Sequence, residues 1–97
     1  MIAHKSMNNT EARLLLANEL RTLAKHSFDE LVAMIGHDEV KTVIGASGVN
    51  YQIEVTLLWD SRPGENLRII GSIDDGGWRA FVPLTDSLIM KPDGTLT

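Results

Sequence analysis

The chain has 97 residues, of which 43% are apolar and 23% charged, and a net charge of −4. A chain this size buries about 60–65% of its unfolded surface, enough for one thin core and no more. It has no cysteine, which excludes a disulfide framework and thiolate chemistry and suits a reducing cytoplasm. No apolar run approaches the ~18–20 residues of a membrane span. Nine Lys and Arg lie scattered through an acidic chain, so there is no basic stripe to displace counterions from nucleic acid.

Residues 1–8 read as a loose tail without the apolar core of a secretory signal, and residues 9–97 as a single domain. A first helix is predicted from about Thr10 to Lys25. Asn8, Asn9 or Thr10 can cap it, and Glu11 lies in the first turn, where the helix dipole favours an anion. Leu16, Ala17, Leu20, Leu23 and Ala24 recur at helical spacing and form one apolar stripe. Ser27 and Glu30 make a capping box that starts a second, short helix at about Phe28. Gly36 suits the left-handed residue that ends it, and Leu31, Val32 and Ile35 are its expected inner face.

The remainder reads as strands. Glu39 to Ala46 is the first, and Ser47-Gly48 suggests a two-residue hairpin turn. That turn places Ile44 opposite Tyr51, Val40 opposite Val55, and Lys41 opposite Glu54. Tyr51, Ile53, Val55, Leu57 and Trp59 alternate with mostly polar residues, which puts them on one face of a sheet. Ser61 to Asn66 is a loop. Leu67, Ile69, Gly71 and Ile73 line the inner face of a third strand ending at Asp74. Asp75-Gly76 fits a second tight turn, after which Trp78, Ala80 and Val82 would face Ile73, Gly71 and Ile69. Gly71 and Ala80 leave room on that face for a helix or a large side chain. Beyond Pro83 the signal weakens. Leu88-Ile89-Met90 suggests a short edge strand, Pro92-Asp93-Gly94 a turn, and the last three residues a frayed end. The fold class is α+β, with two N-terminal helices packed on one face of a four- to five-stranded antiparallel meander sheet.

The opposite face carries the functional expectation. Val43, Leu58, Ile70 and Phe81 point away from the helices, with Ile70 directly facing Phe81 and with Arg68, Arg79, Glu54, Lys41 and Asp74 around them. An apolar patch rimmed by charge marks an interaction surface. Ordinary scatter of surface apolar residues, or a C-terminal segment folded back over them, are the plainer readings. The expected partner is a protein, the chain itself included.

Chemistry is thinly represented. His4, His26 and His37 show no metal-ligand spacing, and no cofactor motif is present. Asp75 is the residue an Asp-Gly turn requires. Ser47 sits in a glycine-rich run between strands, with no helix behind it to cradle a phosphate. Trp59 and Trp78 fall on the inner face, where tryptophans commonly plug a small core. An alternative is a ligand or enzyme site at the sheet end, built from Asp60, Arg62, Asp74, Asp75, Trp78 and Arg79.

The run Ile73-Asp74-Asp75-Gly76-Gly77-Trp78-Arg79-Ala80-Phe81, with Tyr51 to Asp60 before it and Pro92-Asp93-Gly94 after it, resembles a family of small prokaryotic proteins of uncharacterised function. The resemblance covers about residues 48–94 and implies a bacterial or archaeal cytoplasmic origin, with no activity attached. The leading expectation is a non-enzymatic interaction domain, either a homodimer or an accessory subunit. The sheet-end site, and an acidic inhibitor of a basic partner, are the alternatives.

Overall fold

The computed structural model describes residues 7–77 and 82–97. Two helices, α1 (Asn9–Leu23) and α2 (Phe28–Val32), precede four strands, β1 (Glu39–Ile44), β2 (Asn50–Trp59), β3 (Leu67–Asp74) and β4 (Leu84–Met90). The strands form one antiparallel sheet in the order β1-β2-β3-β4.

Asn8 caps α1, its side chain accepting the Glu11 amide at 3.0 Å. Ala12, Leu16, Leu20 and Leu23 are buried along one stripe of α1, as residues three and four apart on a helix must be. Both halves of the capping box form at α2. The Glu30 amide donates to Ser27 Oγ at 3.1 Å, and the Ser27 amide donates to Glu30 Oε1 at 3.0 Å. The chain then turns toward Gly36, whose φ of 85° is left-handed. Leu31 is buried, and the Phe28 ring packs against Trp59 at 6.1 Å between centroids.

Tyr51, Ile53, Val55 and Leu57 of β2 and Leu67, Ile69 and Ile73 of β3 are all buried. They share one face because partners opposed across an antiparallel ladder point the same way, as Ile53 and Ile73 do, and Leu57 and Ile69. With the buried stripe of α1 and Leu31 of α2 they make the core. Gly71 lies beneath α1. A Cβ there would stand 2.7 Å from Leu16 Cδ1 and 3.0 Å from Leu20 Cδ2, so the bare backbone sets how closely helix and sheet approach.

The first hairpin differs from the sequence expectation by one residue. A two-residue Ser47-Gly48 turn requires Ser47 at positive φ, which a side-chain-bearing residue resists. Among the described residues every positive φ belongs to glycine. The loop therefore takes three residues, Ala46 to Gly48, with Gly48 alone left-handed at 86°. The Gly48 amide donates to Gly45 O, and the Gly45 amide to Val49 O, each at 2.9 Å. This slips the register, so that Val43 faces Tyr51 and Lys41 faces Ile53. Lys41 thus stands on the helix side, where its ammonium meets Glu19 at 2.9 Å, and does not pair with Glu54. A one-residue slip moves every side chain of a strand to the other face. Val43 is accordingly packed against the core, while Val40 and Ile44 face outward.

The second hairpin is also longer than expected. Asp75 keeps a negative φ. The Asp74 and Asp75 carboxylates instead accept the amides of Gly76 and Gly77, at 2.8 and 3.0 Å. The strand that pairs with β3 is β4, which brings Leu84 opposite Ile73, Leu88 opposite Ile69 and Ser87 opposite Ile70. Val82 therefore does not face Ile69, and the expected partners Trp78, Ala80 and Phe81 lie outside the described residues.

The C-terminal residues are tied down. Pro92 to Gly94 form a turn with the same bonding as the first hairpin loop: Gly94 donates to Lys91 O and Lys91 to Thr95 O, each at 2.8 Å. Leu96 then bridges to Met90, and the Thr97 amide donates to Ile89 O at 2.9 Å. No helix of the described residues is long and apolar enough to cross a membrane.

Candidate functional site

The face of the sheet turned away from the helices is built from the alternate residues of each strand. Reading across the register, one row runs Leu58, Arg68, Ile89 and the next Thr56, Ile70, Ser87. A third runs Val40, Glu54, Ser72, Thr85. Leu58, Ile70 and Ile89 thus form one apolar cluster, while Val40 and Ile44 stand apart on either side of Thr42 along β1. Val40 is 54% exposed, Ile44 71% and Leu58 37%, while Ile70 and Ile89 are half-buried.

Of the four expected surface residues, Leu58 and Ile70 stand on this face. Val43 does not, for the register reason given above, and Phe81 lies outside the described residues. Ile89 takes a place beside them that the sequence reading did not give it, because β4 begins later and runs longer than expected. Arg68 stands between Leu58 and Ile89. Its Nε and Nη2 donate to Asp60 Oδ1 at 2.9 and 2.6 Å, and Nη1 reaches Ser87 Oγ at 3.4 Å. A forked guanidinium holding one carboxylate leaves this end of the face locally neutral.

The sheet-end cluster is not assembled as one site. Asp74 faces Gln52 near the start of β2, whereas Asp60 follows Trp59 at its other end. Seven residue steps along β3 separate the two ends, roughly 23 Å at strand rise, too far for paired acid–base work. Asp60 is engaged by Arg68, and Asp74 and Asp75 cap their own turn. Arg62 is exposed and stands 4.0 Å from Glu65. Trp78 and Arg79 lie outside the described residues.

A second polar constellation escaped the sequence reading. The Glu11 carboxylate reaches from the first turn of α1 to the β1–β2 loop. Its Oε1 accepts the Ser47 amide at 3.0 Å, and its Oε2 accepts the Ser47 hydroxyl and the Tyr51 hydroxyl, the latter at 3.0 Å. The Ser47 side chain and amide together hold the Glu11 carboxyl below the usual carboxylate range, with Tyr51 adding to this. Burial pushes the Tyr51 phenol up. Gly45 is part of the arrangement, since a Cβ there would collide with the Glu11 carboxylate. A groove of about 470 Å³ adjoins it, between Leu14 and Leu15 of α1 and Ala46. With both carboxylate oxygens taken by the loop, Glu11 acts as a clasp between helix and hairpin. The linking residues are 36 and 40 positions apart in sequence, a separation at which no local spacing rule applies.

Comparison with known proteins finds no family, no curated protein and no solved structure that matches the chain.

Proposed function

We propose that this chain is a small non-enzymatic protein-interaction domain, self-associating or an accessory subunit, whose contact surface is the helix-free face of the sheet. The observation that carries the reading is the placement of Leu58, Ile70 and Ile89 in adjacent rows of that face. A solvated outer face favours polar residues at these positions. A patch of this kind, with a neutralised Arg68–Asp60 pair inside it, offers apolar area and little unpaired charge to desolvate, which is the make-up of an interface centre. The cytoplasm is the location this reading assumes, since a cysteine-free chain suits a reducing compartment.

The test compares the wild type with a Leu58→Lys, Ile70→Lys double variant by analytical ultracentrifugation and by affinity capture from the native host. The expected result is a contact made through this face, either a captured protein or an assembly heavier than the variant's, that the variant loses while keeping its far-UV circular dichroism. A wild-type chain that sediments as the variant does, and captures nothing the variant does not capture equally, overturns the reading.

A further inference from the structure

We propose that β1 pairs antiparallel with β1 of a second copy, joining two four-stranded sheets into one of eight strands. The proposal rests on the reading of the chain as an interaction domain but uses a different surface, the sheet edge in place of the sheet face.

The backbone is arranged for it. In an antiparallel pair, residues alternate between those that exchange both hydrogen bonds with the neighbouring strand and those whose amide and carbonyl point the other way. The Gly45 amide donates to Val49 O, and Gly45 and Val49 continue the β1–β2 register. Glu39, Lys41 and Val43 therefore bond to β2. Val40, Thr42 and Ile44 turn their backbone groups to the edge. Among the described residues no strand or bridge meets that edge. The far margin of the sheet differs, for the C-terminal arm lies against β4 at Met90 and Ile89.

The side chains select a register. A twofold axis makes the pairing symmetric, and the even-numbered residues must then face even-numbered residues for their edge groups to bond. Centring the axis at Thr42 sets Val40 opposite Ile44 of the second copy, twice, and Thr42 opposite itself. These three pairs use every edge-facing backbone group of the strand and cover its two most exposed apolar side chains, at 54% and 71% exposure. Lys41 then lies opposite Val43 of the second copy, with its charge still held by Glu19, and Glu39 lies opposite Gly45. Centring at Lys41 would set Ile44 opposite Asp38, which lies outside the strand. Centring at Val40 would run the pairing into the residues before β1, and centring at Val43 would leave Val40 outside it.

The chain contains no cysteine, so a single introduced thiol reports the register. In the proposed pairing the two Thr42 Cα atoms stand about 5.5 Å apart, within the roughly 4.4–6.8 Å that a disulfide spans. Thr42→Cys should form a disulfide-linked dimer on mild oxidation. Val40→Cys and Ile44→Cys should not, since each residue lies four positions from its own copy, roughly 13 Å. Thr42→Pro removes an edge-facing amide that β2 does not use, a position at which strands tolerate proline. It should weaken the wild-type dimer about tenfold or more in sedimentation and leave far-UV circular dichroism unchanged. Wild-type dimers lost in Leu58→Lys, Ile70→Lys but kept in Thr42→Pro would overturn edge pairing while preserving the interaction reading. A monomer at the highest soluble concentration, or cross-linking at Val40→Cys in place of Thr42→Cys, would also overturn it. Loss in Thr42→Pro with retention in the face variant, together with cross-linking at Thr42→Cys, would establish it.

Discussion

Glu11 shows how one side chain can join two distant segments and make the join depend on pH. Its carboxylate is held by the Ser47 hydroxyl and amide and by Tyr51, so its folded pKa lies below the unfolded value. The folded state then binds fewer protons, and the stabilisation is complete above about pH 5 and fades as pH falls through the lowered folded value. Thermal melts of wild type and Glu11→Gln should differ at pH 7 and converge toward pH 3. Glu30 and Asp93, also lowered, are common to both proteins and cancel in the comparison. A gap that stays constant from pH 7 to pH 3 would remove the clasp. Gly71 acts by what it lacks. A valine there would press its side chain into Leu16 and Leu20, and overpacking of this kind costs about 1–3 kcal/mol. Urea denaturation of Gly71→Val should show a lower midpoint with little change in slope.

Among the elements, α2 depends most on its ends, because it has five residues and isolated helices that short do not persist. Removing the Ser27 hydroxyl leaves the Glu30 amide without its acceptor, and Ser27→Ala should cost about 1 kcal/mol. In a domain of this length that lowers the melting temperature by roughly 4–8 °C. The capping box was legible from sequence because it is local, as were the stripe of α1 and the alternation along β2 and β3. Strand register was legible only so far as turn chemistry fixes it. The Ser47-Gly48 dipeptide fits a two-residue turn on composition, but the side chain of Ser47 disfavours the left-handed geometry that turn needs. One added loop residue carries Val43 inward and Val40 and Ile44 outward. The strand opposite β3 was misplaced for a related reason. Asp74 and Asp75 bond to the amides two residues on, and such side-chain turns extend a loop that an Asp-Gly signal alone would close at once.

At the scale of the whole molecule, the helices pack on one face of the sheet, and among the described residues no helix covers the other. The two arrays of apolar side chains are therefore unequal in their effect on stability. Leu16→Ala, in the core, should cost about 2–5 kcal/mol. Leu58→Lys and Ile70→Lys, on the helix-free face, should leave the monomer's unfolding midpoint little changed, because neither is fully buried. Denaturation of both variants beside the wild type would show whether that division of labour holds. The candidate site was half legible from sequence. Leu58 and Ile70 follow from alternation within their own strands, whereas Ile89 depends on which later segment docks beside β3, a tertiary choice without a local signature.

The fold-back of Leu96 and Thr97 against β4 has a consequence for stoichiometry. Edge pairing can build fibres when both margins of a sheet accept a newcomer. Here the chain's own tail occupies the Met90 end of the other margin, so a pair of copies that meet through β1 would carry a tail at that end of each outer border. Growth past two copies would have to use what remains of those borders, and shortening the tail should be the change that favours it.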